Sequence, residues 1–426
     1  MKKNNITIAL AAALTFGVST SATAAGFQLA EYSATGLGRA FAGEAAMADN
    51  AGAQFRNPAM LTYLKGTQVS TGAIYVDPNI DVKGDLNVGM AIPTEAKDIA
   101  GSAVIPNFYL SHQLNDQVFL GLAFSTNYGM ETELGGDFKA TQFGNQAKVH
   151  SVEINPNIAY KINEQFSVGA GIRYVMGEGH FGATNPADMS TPVGTLPKGT
   201  NLKYMEGEDN AWGWQLGTAW QINDDNRIGF NYRSAVDLNL EGHAEGFSFN
   251  PMNPEQKFDG SMELSLPATA ELASFHQLTE QLAIHASFNW TDWSSFEKLE
   301  ANIPALGSDK KLIKQENWKD NYRLAVGSTY QLNQAVVLRT GVAYDTSAVN
   351  DDNRTQTIPE TDRLWLSVGA GYQVTKAFTL DAGFTYIFAK DASMTEKETG
   401  HPELGQFTGE TTGNVWLVGV QASYRF

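Results

Sequence analysis

The chain ends on a strand with two unlike faces. In residues 413–426, GNVWLVGVQASYRF, one alternating set is Trp416, Val418, Val420, Ala422, Tyr424 and Phe426, and the other is Leu417, Gly419, Gln421, Ser423 and Arg425. Period-two alternation of apolar with small or polar residues specifies a β-strand greasy on one side. The pattern recurs along the chain, as HQLNDQVFLGLAF from His112, YKINEQFSVGAGIRY from Tyr160, WQINDDNRIGFNY from Trp220, HQLTEQLAIHASFNW from His276, YQLNQAVVLRTGVAY from Tyr330 and YQVTKAFTLDAGFTY from Tyr372. Each copy has an aromatic or His, then Gln or Lys, an aliphatic, and Asn or Thr, followed by a few turn-like residues and an alternating strand. Asn and Asp tolerate turn backbone and bond their own main chain, so each copy predicts a tight hairpin.

Six hairpins supply twelve strands. TQVSTGAIYVDPNI (residues 67–80) precedes them and residues 413–426 follow, which makes fourteen. An apolar face ending in Tyr, Phe or Trp, as in Phe378, Leu380, Phe384, Tyr386 and Phe388, suits lipid contact with aromatics at headgroup level. An even strand number and short turns on one side match bacterial outer-membrane barrels. The six repeated turns then face the periplasm. The acidic connections YMEGEDN (204–210) and DTSAVNDDN (345–353) become external loops, and both barrel ends lie on the periplasmic side. The last strand must pair with the first, because an open sheet edge does not survive in lipid. The fold class expected is all-β: a 14-stranded antiparallel transmembrane β-barrel spanning residues 66–426.

The start of the chain reads as an export signal. Lys2 and Lys3 precede an apolar stretch at 6–18, and Ala22-Thr23-Ala24 is a small-x-small cleavage site, so residues 1–24 are expected to be removed and Ala25 to begin the mature protein. Cysteine is absent, so packing and backbone hydrogen bonds must hold this exported chain together. After the signal no run of about 18 apolar residues exists, which excludes a helical span but not a barrel. A net charge of −17, made more negative by loss of the two signal lysines, argues against nucleic-acid binding. The histidines form no zinc signature and no nucleophile motif flanks a serine, so neither metal, cofactor nor catalysis is expected.

Residues 25–65 break the alternation: AGFQLAEYSATGLGRAFAGEAAMADNAGAQFRNPAMLTYLK. The segment is rich in Gly and Ala, with short helical stretches expected near residues 39–48. Asn57-Pro58 fits a helix N-cap followed by proline at the first position. A barrel of intermediate size has a lumen that is either water-filled or plugged, and small residues pack closely inside a tube. This segment is therefore expected to be a partly helical hatch within the lumen.

The stretch GFQLAEYSATGLGRAFAGEAAMADNAGAQFRNPAML resembles the N-terminus of the FadL family of outer-membrane long-chain fatty acid transporters. The resemblance continues through TNYGMETE, LPATAELA, WTDWSSF, KDNYRLAVG and IPETDRLWLSVGAGY to the last strand. It implies passive uptake of long-chain fatty acids from an external apolar landing site. A lumen pocket gated by the hatch follows, with sideways release into the membrane through a kink in the third strand. It implies a hatch motif at Asn57, Pro58 and Ala59 and a wall opening at Asn127, Tyr128 and Gly129. It also implies an aromatic near the ligand at Phe27, and a headgroup lysine at Lys314. The family's arginine partner is not matched, since the aligned stretch YVMGEGHFGATNPADM has no Arg after Arg173, and His180 is a weak substitute. Lys314 shares the parity of Trp318 and Tyr322, the expected lipid face, so it turns inward only if the strand ends or bulges. The implied partners are fatty acids, outer-membrane lipid and lipopolysaccharide, and the assembly machinery that reads the strand ending at Phe426; the implied state is a monomer. The competing functions are uptake of uncharged aromatic hydrocarbons by the same route, which the missing arginine would suit, an open porin, and an outer-membrane lipase.

Overall fold

A computed structural model describes residues 26–192, 194–307, 310–398 and 401–426. The expected signal peptide at 1–24 lies outside the described residues. The strands run in sequence as β1 (Thr67–Asn87), β2 (Ala91–Ala96 and Ala103–Gln113), β3 (Val118–Ser125 and Gly129–Glu133), β4 (Gln146–Lys161) and β5 (Phe166–Thr184). They continue as β6 (Asn201–Asn223), β7 (Asn226–Arg233 and Val236–Glu245), β8 (Phe258–Leu266 and Thr269–Gln277), β9 (Leu282–Thr291 and Lys298–Asn302) and β10 (Lys311–Gln315 and Asn321–Gln331). The last are β11 (Val336–Asp345), β12 (Arg363–Gln373), β13 (Phe378–Ala389 and Ala392–Lys397) and β14 (Gln406–Arg425). Each pairs antiparallel with its sequence neighbours, and β14 closes on β1 from Gln68↔Arg425 to Asn87↔Gln406. The six repeats form the turns β2–β3, β4–β5, β6–β7, β8–β9, β10–β11 and β12–β13 at one end, as their Asn and Thr residues dictate. There Asn115 Oδ1 accepts from the Val118 amide at 2.8 Å, and Asn333 Oδ1 from the Val336 amide at 3.0 Å.

The lipid and lumen faces fall where the alternation puts them. Val418, Val420, Tyr424 and Phe426 are exposed on the outer wall, whereas Leu417 and Gln421 are buried inside. Phe426 ends the chain with its amide on the Thr67 carbonyl at 2.9 Å. Two expectations, one of a loop and one of a helix, need correction. Residues 204–210 are not a loop; they lie within β6 and pair with β5 and β7. The strands run on past the aromatic level marked by Tyr174 and Trp212, into water, where an outward face needs no apolar residues and its acidity reads as a loop. Residues 39–48 are mostly turns with one short 3-10 stretch, Glu44–Ala46.

The hatch fills the lumen with short helical pieces: α1 (Ala34–Leu37), the Glu44–Ala46 turn, α2 (Ala53–Arg56) and a 3-10 helix, Pro58–Tyr63. Nearly all of it is buried. Glycines on the wall strands make the fit possible. A Cβ on Gly229 would sit 1.8 Å from the Ala45 carbonyl oxygen, and one on Gly341 would sit 2.1 Å from that of Arg39. Gly169, Gly217, Gly369 and Gly383 meet hatch atoms in the same way. Charge completes the attachment: Arg56 pairs with Glu271 of β8 at 3.0 Å, and Ser33 Oγ and the Ala34 amide both donate to Gln421 Oε1 of β14 at 3.0 Å. Buried polar groups paired in this way avoid the desolvation cost that an unpaired group would carry.

Candidate functional site: a break in the wall and the apolar chamber behind it

β3 loses one of its two neighbours part-way along. Its ladder with β2 runs from Gln113↔Phe119 to Phe108↔Phe124 and stops. The next contact is the isolated bridge Ala100↔Thr132, with the Glu133 amide on the Ile99 carbonyl at 2.7 Å. Between these points residues 103–107 of β2 pair with β1 alone, and Pro106 has no amide to offer β3. On the other edge, β3 advances from Ser125↔Glu153 to Gly129↔His150, four residues against three on β4. That one extra residue is a β-bulge, which bends the strand. Asn127, Tyr128 and Gly129 thus lie at the break, all buried.

The hatch stands in for the missing neighbour. The Leu29 amide donates to the Asn127 carbonyl at 2.6 Å, and the Gly129 amide to the Phe27 carbonyl at 2.9 Å, around a Gln28↔Tyr128 bridge. The Asn127 carbonyl and the Gly129 amide, which lie on the β2 side, are therefore satisfied by two hatch residues, Leu29 and Phe27. Tyr128 is held from the other side, its hydroxyl donating to the Pro267 carbonyl at 2.8 Å across the break in β8.

Behind the break the lumen is filled by a packed apolar cluster, a chamber occupied by the protein's own side chains. Phe27 projects into a cage of Trp293 (4.6 Å between centroids), Phe296 (5.6 Å), Trp318 (6.0 Å) and Tyr128 (6.1 Å). Around the cage a continuous buried cluster includes Met130, Phe181, Met205, Leu238, Leu264 and Ile303. Met130 and Tyr128 belong both to this cluster and to the broken strand, so the chamber reaches the wall. At its outer edge Phe181 is shared with a cleft of about 250 Å³ lined also by Lys203, Lys314, Arg354 and Glu396.

Lys314 turns inward as its expected role requires. The pairing of β9 with β10 shifts by one residue between Leu299↔Lys314 and Glu300↔Leu312, and β10 breaks at 316–320, where Asn317 adopts a left-handed φ of +48°. Its Nζ lies 2.7 Å from Glu396 Oε1, donates to the Phe143 carbonyl at 3.2 Å, and sits 5.5 Å from the Phe181 ring centre. Trp318, expected on the lipid face, is instead buried in the cage because the bulge and break reverse its parity. Tyr322, past the break, is exposed as expected. His180 is not brought to Lys314: alternation along β5 puts it on the face opposite Phe181, with its ring 6.0 Å from that of Tyr204.

Asn57, Pro58 and Ala59 lie at the hatch's far side. The Asn57 side chain caps the Pro58–Tyr63 turn by accepting from the Ala59 amide at 3.0 Å. It donates to the carbonyls of Ala45 at 2.6 Å and Thr218 at 2.9 Å. The residues join two parts of the hatch to β6, seated over Gly169 and Gly217. Sequence reasoning missed Glu396, the cage residues Trp293 and Phe296, and a fully buried carboxylate, Glu153, with its arginines Arg173 and Arg233. The signal for the last three was their position on the lumen parity of their strands, where a charge must find a partner inside.

The fold and this site define an outer-membrane barrel whose lumen is closed by its own N-terminal hatch, with an apolar chamber abutting a gap in the wall. A family model described as "Outer membrane protein transport protein (OMPP1/FadL/TodX)" matches residues 15–426, and the chain belongs to that family of transport proteins. It is 33% identical over 447 residues to a long-chain fatty acid transport protein of Escherichia coli O6:H1, covering 98% of each chain. It is 36% identical over 444 residues to a 47 kDa outer membrane protein of Pasteurella multocida, covering the whole of both. The crystal structure of a Pseudomonas aeruginosa FadL homologue superposes with a TM-score of 0.84 at 24% identity, covering 94% of this chain and all of that one, which establishes the shared fold.

Proposed function

We infer that the protein carries long-chain fatty acids and similar hydrophobic compounds passively across the outer membrane and releases them sideways through the break in β3. The observation that carries this reading is the hatch strand at 27–29 bonded into the gap between β2 and β3, with the apolar chamber directly behind it. On this route a fatty acid lands at the outer cleft, passes Phe181 into the chamber and displaces Phe27. The bridge to 127–129 is then lost, and the acyl chain leaves through the wall into lipid. Burial of each methylene favours chamber binding by roughly 0.8 kcal/mol, so a long acyl chain competes well with one aromatic side chain. Lys314 faces the carboxylate, Asn57, Pro58 and Ala59 anchor the part of the hatch that stays, and Asn127, Tyr128 and Gly129 form the exit. On the same reading the outer wall meets membrane lipid and lipopolysaccharide, the strand ending at Phe426 is what the assembly machinery reads, and the barrel acts as a monomer. The long-chain fatty acid transport protein of Escherichia coli O6:H1 among its relatives supports a fatty acid cargo.

A second reading, uptake of uncharged aromatic hydrocarbons, is favoured by one observation: Lys314 is already paired with Glu396 at 2.7 Å, which leaves its ammonium no free face reserved for a carboxylate. Uptake of radiolabelled oleate and of toluene by cells carrying the wild type, Gly129→Val or Ala103→Trp decides. The fatty acid reading expects oleate uptake in the wild type and its loss in both wall variants, with oleate binding retained. Toluene uptake alone would favour the second reading, and unchanged oleate uptake in the wall variants would remove the lateral route.

A further inference from the structure

Glu153 of β4 is fully buried and is the meeting point of three parts of the molecule. Its Oε2 accepts from Arg173 Nε at 3.0 Å and Nη2 at 2.9 Å, and from the Asn127 side-chain amide; its Oε1 accepts from Arg233 Nη2. Arg173 is fixed in turn by the Ser234 carbonyl at 2.7 Å, in the break of β7. Arg233 reaches the hatch: its Nη1 donates to the Phe55 carbonyl at 2.6 Å and to Gln215 Oε1 at 2.7 Å, with its guanidinium 4.6 Å from the Phe55 ring centre.

One carboxylate therefore touches both the broken strand, through Asn127, and the hatch, through Arg233. An ion cluster needed only to neutralise lumen charge would be complete with its two arginines. The additional donor comes from the stretch of β3 that has lost its β2 partner while staying beside β4, and it draws that stretch inward toward the hatch. We propose that Glu153 is the positioning residue that couples the hatch to the wall break, so that loss of the Arg233–Phe55 contact loosens the kink. The proposal rests on the lateral-release reading for its purpose, but not for its geometry.

The relay predicts that cutting it on the hatch side is felt at the kink. Hydrogen–deuterium exchange on the purified full-length barrel reads this through the amides of Leu29 and Gly129, which close the hatch–kink bridge. Arg233→Gln and Asn127→Ala are each expected to speed exchange there at least about ten-fold while amides of β11 to β14 keep their wild-type rates. The double variant should be no faster than the faster single one, because both changes cut one path. Arg233→Lys keeps a cation for Glu153 without the two-armed reach to Phe55, and should speed the same two amides with the barrel ladder intact. The proposal is overturned if Asn127→Ala alone acts at the kink, if neither variant does, if the two effects multiply, or if Arg233→Lys exchanges like the wild type. Unchanged oleate uptake in Ala103→Trp would sink the lateral route and leave the exchange result standing, which separates the two failures.

Discussion

The fit of the hatch into the wall yields the sharpest prediction. A Cβ on Gly229 would lie 1.8 Å from the Ala45 carbonyl oxygen and 2.5 Å from its carbon, while ordinary contact begins at 3.4 Å. The hatch backbone would have to retreat by about 1.6 Å, and backbone, unlike a side-chain tip, has no rotamer with which to yield. Gly341, 2.1 Å from the Arg39 carbonyl oxygen, poses the same conflict. Overpacking of this kind costs about 1–3 kcal/mol. At about 1.4 kcal/mol per decade, this shifts the hatch toward its displaced state by roughly 5- to 150-fold. Barrel closure should survive, since β-ladder hydrogen bonds use the backbone that a valine retains. Gly229→Val and Gly341→Val in planar bilayers should therefore show ion-conducting openings far more often than the wild type. Gly136→Val, whose Cβ meets nothing within 4 Å, should not. If the two lumen variants stay as closed as wild type, with hatch amides exchanging at the same rate, the claim that wall glycines exist to seat the hatch is wrong.

Asn57→Ala removes a helix cap and strands the buried Ala45 carbonyl, at a cost of about 2–4 kcal/mol to the hatch, seen as faster proteolysis within residues 44–63 while the barrel keeps its heat-modifiable mobility in gels. If Lys314 faces a carboxylate, Glu396→Gln frees the ammonium and tightens oleate binding about 5-fold by calorimetry, whereas Lys314→Met weakens it about 10-fold; equal and small changes would favour an uncharged cargo. Glu316, in the external break of β10, is buried, and burial pushes its carboxyl up to about 7 from 4.5, against the lowering effect of Lys314 and the Trp318 indole N–H. The folded segment keeps a proton that the opened one has released, so its stability is full below pH 4.5, falls between pH 4.5 and 7, and is flat above, by about 3 kcal/mol in all. Amide exchange around 316–318, corrected for intrinsic rate, should accelerate across that window and cease to do so in Glu316→Gln.

The barrel was legible in the sequence because its physics is periodic. Lipid demands an apolar residue at every second position, and the six Asn or Thr turns fix the register between those runs. The hatch was legible only as an interruption, since Gly- and Ala-rich packing leaves no period; the glycines on the wall, which encode its shape, read simply as strand glycines. Where a strand breaks, parity loses its meaning. Trp318 therefore went to the wrong face, whereas the inward turn of Lys314 depended on a bulge at Ile313 that no alternation announces. His180 failed for the opposite reason, because its strand keeps parity and carries it away from the chamber. The chemistry of Glu153 needed the third dimension: Asn127, Arg173 and Arg233 come from three strands and meet only when the tube closes.

The gate itself offers the most direct test. The chain has no native cysteine, and Gln28 and Tyr128 are bridge partners, at a spacing suited to a disulfide. In cells carrying Gln28→Cys with Tyr128→Cys, oxidation should lock the hatch across the break and abolish oleate uptake, and reduction should restore it to the level of the reduced variant. Uptake that proceeds equally well with the disulfide closed would mean that the cargo takes another way out.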